Sequence, residues 1–328
     1  MAGGRNYHGR HRRRRCYSAK GKHSLLQLVF IVLLAGILIF SLWQLISYGM
    51  DYLGARRAST ELRDLYYAQE EETPLPEPSS APAGEPTPAP TPEILEPALF
   101  PSPAPTAPVN LPALRYPTNY YAAVSSRFQK LQRQNSDIIG WLTIEDLLDE
   151  AVVQRDNEYY LRRDYRGYHN TNGAIFLEEN CSLKTRPYTL MLYGHNMKTG
   201  AMFGSLRNYE NLSFYKSNPF ITFDTAYEKG RFVIFSVSTV SLKSYARNFL
   251  NFGKVHSSNI AWRQESIAAL KNMSTHYSFI DVQPQDQLLL LVTCVEDDAE
   301  RRVVAARRIR DGETEADLQA QINKSFTR

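Results

Sequence analysis

The chain has 328 residues and a formal net charge of +4, enough for one or two ordinary domains. The charge is unevenly placed: Arg5, Arg10, Arg12, Arg13, Arg14, Arg15, Lys20 and Lys22 stand in a tail without Asp or Glu, so the rest of the chain is net acidic. An acidic body with a basic tail excludes a folded nucleic-acid reader, whose positive surface belongs on the domain itself.

The basic tail spans residues 1–24. Leu25 to Ile46 then carries no charged residue, and about 20 apolar residues cross a bilayer. The run continues through Trp43 and Tyr48, which suit an interfacial belt, and has no small-residue cleavage site of the signal-peptide kind. Cations ahead of the span stay in the cytoplasm. The expected arrangement is a transmembrane helix over 25–48, single-pass and type II, with everything after it outside. Residues 49–72 have helical composition and read as a juxtamembrane helix. Residues 73–117 are dominated by Pro, Ala, Thr and Glu; proline removes backbone donors and favours an extended coil, so a semi-rigid spacer is expected there.

The folded domain is expected over 118–328. Tyr120–Gln134 reads as an amphipathic helix. Short apolar runs follow, "IIGWLTI", "AVVQ", "GAIFL", "YTLMLYG", "FITFDT", "RFVIFSVSTV", "QLLLLVTC" and "RRVVAARRI", separated by turn-rich segments. One helical interruption, Ser258–Tyr277, has apolar residues at helical spacing. Strands at this density predict a mainly β fold, a closed or nearly closed barrel with peripheral helices.

Three cysteines, Cys16, Cys181 and Cys294, make no disulfide framework, and an extracellular chain with few cysteines can use one for chemistry. Cys294 ends a leucine-rich strand where a loop begins, a place with access to substrate. A thiol attacks only as thiolate, which needs a polar or cationic neighbour. Arg301 and Arg302 open the next strand. Side chains alternate along a strand, so the two face opposite ways, and one guanidinium can serve a thiolate or an oxyanion. Alternation alone does not choose between them. Glu296, Asp297, Asp298 and Glu300 lack the spacing of a cation loop and read as a solvated turn. His195 leaves an apolar strand into the shaped loop "GHNMKTGAMFGSL", well sited to give a proton to a leaving amine. His169, His256 and His276 read as solvated.

"YGHNMKTGAMFGSL", "LLLLVTC" and "RRVVAARR" together resemble the sortases, class B in particular, over nearly all of residues 118–310. The resemblance implies a sortase-type closed β-barrel and a cysteine transpeptidase that needs no metal and no cofactor. Cys294 would attack a threonine carbonyl in the C-terminal sorting signal of a secreted protein. His195 would protonate the leaving amine, Arg301 would hold the oxyanion, and a thioester would form. An amine of a peptidoglycan precursor, or a pilin lysine, would resolve it. Arg301 is favoured because Val303, Val304, Ala306 and Arg307 fall at the family's offsets, although Arg302 then occupies a usually apolar place. The same likeness puts Asn196, Val292 and Thr293 against the substrate. Val292 stands where class B commonly has serine, and "LLDEAVVQ" lacks the usual proline; both departures bear on the sorting motif. Pilin polymerisation, a cysteine hydrolase and a non-catalytic surface-binding module are the other functions such a barrel could serve.

Overall fold

A computed structural model describes residues 20–68, 123–294 and 299–328. The basic tail up to residue 19, the spacer over 73–117 and the acidic turn at 295–298 lie outside the described residues. The chain divides between Gly54 and Ala55 into two compact units. The first contains most of the one described helix long and apolar enough to cross a membrane. Its apolar span runs Leu25–Ser47 with mean hydropathy 2.8, within α1 (Lys20–Tyr67). Helix α1 runs on past that span to Tyr67.

The second unit is a closed barrel. After α2 (Ser126–Gln134) come β1 (Ile138–Ile144), β2 (Leu148–Val153), β3 (Ile175–Leu177) and β4 (Thr189–His195). Then follow α3 (Leu212–Ser217), β5 (Phe220–Thr225), β6 (Arg231–Ser241), α4 (Phe252–His256), α5 (Ile260–Met273) and β7 (His276–Tyr277). The chain closes with β8 (Leu288–Cys294), β9 (Glu300–Arg308), α6 (Glu315–Asn323) and β10 (Phe326–Thr327). The barrel order is β1-β2-β3-β4-β8-β9-β6-β5, and β7 and β10 form a separate two-stranded pair. Most neighbours are antiparallel, but β2/β3 and β4/β8 are parallel.

Alternation divides the apolar residues between two cores. Leu142, Val152, Ile175 and Leu177 join the main core, whereas Trp141, Ala151, Val153 and Phe176 join a second cluster on the other face of the same strands. The leucine run of β8 does not alternate because both of its faces are covered. Leu288 to Val292 are all buried in the main core, together with Val255, Ile267 and Leu270 of the outer helices. Helix α5 starts where the Asn259 side chain caps Trp262 N–H. Its buried Arg263 donates to the Pro284 and Asp286 carbonyls at 2.5 and 2.6 Å and to Thr189 Oγ1 at 2.9 Å, tying the helix to the starts of β4 and β8.

Several expected boundaries move. The helix expected from Tyr120 begins at Ser126, and the one expected to reach Tyr277 stops at Met273. Its last residues instead form β7, pinned by pairing with Phe326 and Thr327. His276 is buried rather than solvated, and since a carbonyl only accepts, its Nε2 donates to the Tyr209 carbonyl oxygen at 2.8 Å. His169 is exposed as expected.

The second cluster also takes in the end of α1. Leu62 and Tyr66 are buried, the Tyr66 ring stacks on Trp141 with centroids 4.4 Å apart, and its hydroxyl donates to Asp224 Oδ2 at 2.8 Å. Ser59 donates to Glu150 Oε2 at 2.7 Å and Tyr67 to Asp149 Oδ1 at 3.0 Å. Burial, with Asp149 alongside, pushes the Glu150 carboxyl up to about 7 from 4.5, against the pull of the Ser59 hydrogen bond. A carboxyl raised on folding contributes stability that is complete below its unfolded value and lost as pH rises through about 7. Glu150→Gln should therefore flatten the stability difference between pH 5.5 and pH 8 and raise Tm at pH 8 by about 2–4 °C. Thermal melts of both proteins at the two pH values check this; an unchanged difference would contradict it.

Candidate active site

The candidate site lies where β4 and β8 end and β9 begins. Parallel pairing of β4 with β8 runs in register from Thr189↔Leu288 to His195↔Cys294, so the histidine and the cysteine are direct neighbours at the last step of both strands. The β8/β9 ladder is antiparallel and runs from Leu288↔Arg307 to Val292↔Val303. Two further steps in the same register bring Thr293 opposite Arg302 and Cys294 opposite Arg301. The paired register stops at Val292↔Val303, and just beyond it Arg302 N–H donates to the Thr293 side-chain hydroxyl at 2.9 Å, which keeps those two residues side by side. Residues directly opposed in a ladder share a face of the sheet. Positions 195, 294 and 301 therefore fall on one face, and 302 on the other.

The two arginines have different surroundings. Arg302 forms an ion pair with Glu210, at the end of the 3-10 turn Phe203–Glu210. The Arg301 guanidinium is half-buried at the site end and donates to the Glu300 carbonyl at 2.9 Å.

His195 is half-buried, and its Nε2 lies 2.5 Å from the Leu161 carbonyl oxygen. The glycines of its loop have specific work. A Cβ on Gly194 would sit 2.9 Å from the Phe203 ring, and one on Gly204 only 2.0 Å from the Met197 carbonyl oxygen. Phe203, fully buried, thus packs directly on the backbone next to the histidine. The loop closes through an isolated Asn196↔Met202 bridge, with Met202 held at φ +50, a backbone conformation unfavourable for a side chain.

Of the other residues expected to meet substrate, Asn196 is exposed at the mouth of the loop. Val292 and Thr293 are each 1% exposed, Val292 packing in the main core and Thr293 holding the β9 backbone through its hydroxyl. Their side chains serve packing and register here. Cys181 is also buried, 3.5 Å from the Thr189 carbonyl oxygen, and burial pushes its thiol up to about 12; it has neither the thiolate nor the access of a nucleophile. Among the described residues no cluster of three or more His, Cys, Asp or Glu could hold a metal.

The sequence carries no sign of the Leu161 carbonyl, because a backbone acceptor leaves no residue-type signature. Gly194 and Phe203 stand in the quoted loop, but nothing in their spacing reveals their contact.

The Sortase domain family model matches residues 142–309. Sortase B of Staphylococcus aureus is 29% identical over 190 residues, which is 57% of this chain and 75% of that protein. Sortase B of Listeria monocytogenes is 28% identical over 179 residues, 54% of this chain and 70% of that one. Among solved structures, sortase B from Bacillus anthracis in complex with AAEK2 superposes with TM-score 0.57 at 25% identity, covering 79% of this chain and 97% of that one. The Staphylococcus aureus sortase B–substrate complex gives 0.52 at 28% identity, covering 58% and 88%. A family match over half the chain, on a closed eight-stranded barrel of the same architecture, means that this chain belongs to the sortase family, among the class B cysteine transpeptidases.

Proposed function

We propose that this enzyme is held at the membrane by the Leu25–Ser47 span, with its barrel on the outer side facing the cell wall. There it joins secreted proteins to a wall amine through a thioester on Cys294. The observation that supports the reading is the His195↔Cys294 pairing at the last step of β4 and β8, with the β8/β9 register, continued two steps beyond Val292↔Val303, setting Arg301 on the same face. The Cys294 thiolate attacks the carbonyl carbon of a threonine in the C-terminal sorting signal. Arg301 stabilises the negative charge that develops on the carbonyl oxygen. As the C–N bond breaks, His195 passes a proton to the leaving amine, and the acyl group remains as a thioester. An amine of a peptidoglycan precursor then attacks the thioester and loses its proton to His195. An amide forms and the thiolate is released. No metal or cofactor enters this sequence of steps, and polymerisation of pilins would use the same steps with a lysine as acceptor.

The test uses the full chain in detergent with quenched sorting-signal peptides and a panel of amines. Intact mass of the protein should show an acyl adduct on Cys294, and product masses should show amine-dependent ligation. An adduct that resolves only to the free acid, whatever amine is offered, would refute transfer to an amine.

A further inference from the structure

The two nitrogens of His195 are not equivalent, and the reason lies in a turn some thirty residues upstream. The 3-10 turn Tyr159–Arg162 is fixed to the barrel by Tyr160, a buried ring whose hydroxyl donates to Asp137 Oδ2 at 2.8 Å and accepts from Asn135 Nδ2 at 2.7 Å. Its carbonyls are then taken in alternation. Tyr160 C=O accepts from Ala174 N–H at 3.0 Å, and Arg162 C=O accepts from Asn170 N–H at 2.9 Å. The carbonyl between them, Leu161, faces the His195 ring at 2.5 Å from Nε2. A carbonyl oxygen can only accept, so Nε2 carries a hydrogen.

Gly173 makes this approach possible. It sits at φ +62, just before β3, and a Cβ there would lie 2.6 Å from the Leu161 oxygen and 2.7 Å from the Tyr160 oxygen. Both obstacles are backbone atoms, and neither can move without shifting the turn that aims the Leu161 carbonyl. Gly173 itself is held by a hydrogen bond from its N–H to the Asn170 carbonyl at 3.1 Å, and the Asn170 side chain accepts from Asn172 N–H at 2.8 Å. The segment therefore has one shape, and it requires a residue without a Cβ.

We infer that Gly173 is a positioning residue for the transpeptidation chemistry: it lets the Leu161 carbonyl hold His195 as the Nε2–H tautomer, which makes Nδ1 the nitrogen that exchanges the proton during the reaction. The inference rests on the proposed role of His195. In the neutral ring Nδ1 is then the bare, basic nitrogen; it gains a proton when the thiolate forms and gives that proton to the leaving amine. The Nε2 hydrogen stays on the ring throughout, hydrogen-bonded to Leu161.

The test combines imidazole nitrogen shifts with kinetics on the detergent-solubilised full chain, labelled with 15N-histidine and assigned by loss of one ring's signals in His195→Asn. In the wild type without substrate, the neutral His195 ring should show a protonated Nε2 and a bare Nδ1. A wild-type ring with the hydrogen on Nδ1 overturns the inference, whatever any variant does and whether or not ligation is observed. Gly173→Ala should lose the single-tautomer signature and lower kcat by about 10–100-fold, with KM changed by less than about twofold, as expected for a misaimed catalytic group. A Gly173→Ala protein that retains the Nε2–H signature and full kcat removes Gly173 from the role. If Gly173→Ala fails to fold, the wild-type nitrogen shifts still decide the tautomer. If the wild type shows the Nε2–H ring but no ligation with any amine, the geometry stands and the proposed function fails.

Discussion

Arg301→Ala is expected to lower kcat/KM for thioester formation by about 10²–10³-fold, the usual consequence of losing one donor to a developing oxyanion. Arg302→Ala should change it by less than about threefold. The two residues are adjacent and chemically identical, so the contrast depends only on register. Continuing the β8/β9 ladder from Val292↔Val303 puts position 301 beside Cys294 and position 302 beside Thr293, and a one-residue slip would exchange them. The Arg302 N–H bond to Thr293 Oγ1 argues against a slip. The Arg302 ion pair with the largely exposed Glu210 is worth on the order of 0–1 kcal/mol, so Arg302→Ala should cost little stability. Single-turnover acylation followed by intact mass spectrometry reads both variants directly. Arg301→Lys separates charge from shape. A lysine retains the charge but not the planar fork, so partial recovery relative to alanine is expected. Loss of acylation in Arg302→Ala with Arg301→Ala active would show that the register is read wrongly.

Much of this candidate site is legible in the sequence. The leucine run ending at Cys294, the apolar strand ending at His195 and the paired arginines each mark the end of a strand, and strand ends are where a barrel gathers functional groups. What the sequence does not contain is which strands are neighbours. Residues 195 and 294 are far apart in the chain, and only the parallel β4/β8 pairing makes them adjacent. Alternation likewise says that Arg301 and Arg302 face opposite ways but not which way Cys294 faces; that needs the partner strand. The short strands β7 and β10 are not legible because two residues carry no period, and the burial of His276 is not legible because its partners, Tyr209 and Thr327, are distant in sequence. The docking of Leu62 and Tyr66 was hidden by composition. Residues 49–72 look like an ordinary polar helix, and only the large Trp141 ring on the outer face of β1, which needs cover, explains why two of their apolar side chains are buried.

The largest effect should come from the nucleophile itself. Cys294→Ala is expected to abolish both the acyl adduct and ligation, a loss of roughly 10⁵–10⁶-fold, as when the nucleophile of a comparable covalent mechanism is removed. Cys181→Ala is the control that makes the result specific. With its thiol pushed up to about 12 by burial, Cys181 stays a neutral thiol at pH 7, and the same burial denies it substrate. Its replacement should leave kcat/KM unchanged while costing about 1–2 kcal/mol for the volume removed from the main core. Alkylation gives the same contrast without mutation: under native conditions iodoacetamide should label Cys294 with loss of activity and leave Cys181 unlabelled, and denaturation should make Cys181 reactive. Labelling of Cys181 in the native protein would mean that the barrel opens at β4 more readily than its packing implies. Persistence of the acyl adduct in Cys294→Ala would move the nucleophile elsewhere, and with it the meaning of the His195↔Cys294 pairing. Cys294→Ser is the sharper variant of the same argument. It keeps the shape and an attacking oxygen but needs a far stronger base than an imidazole to ionise at neutral pH, so it too should lose turnover, while any slow acylation should remain as a hydrolytically stable ester.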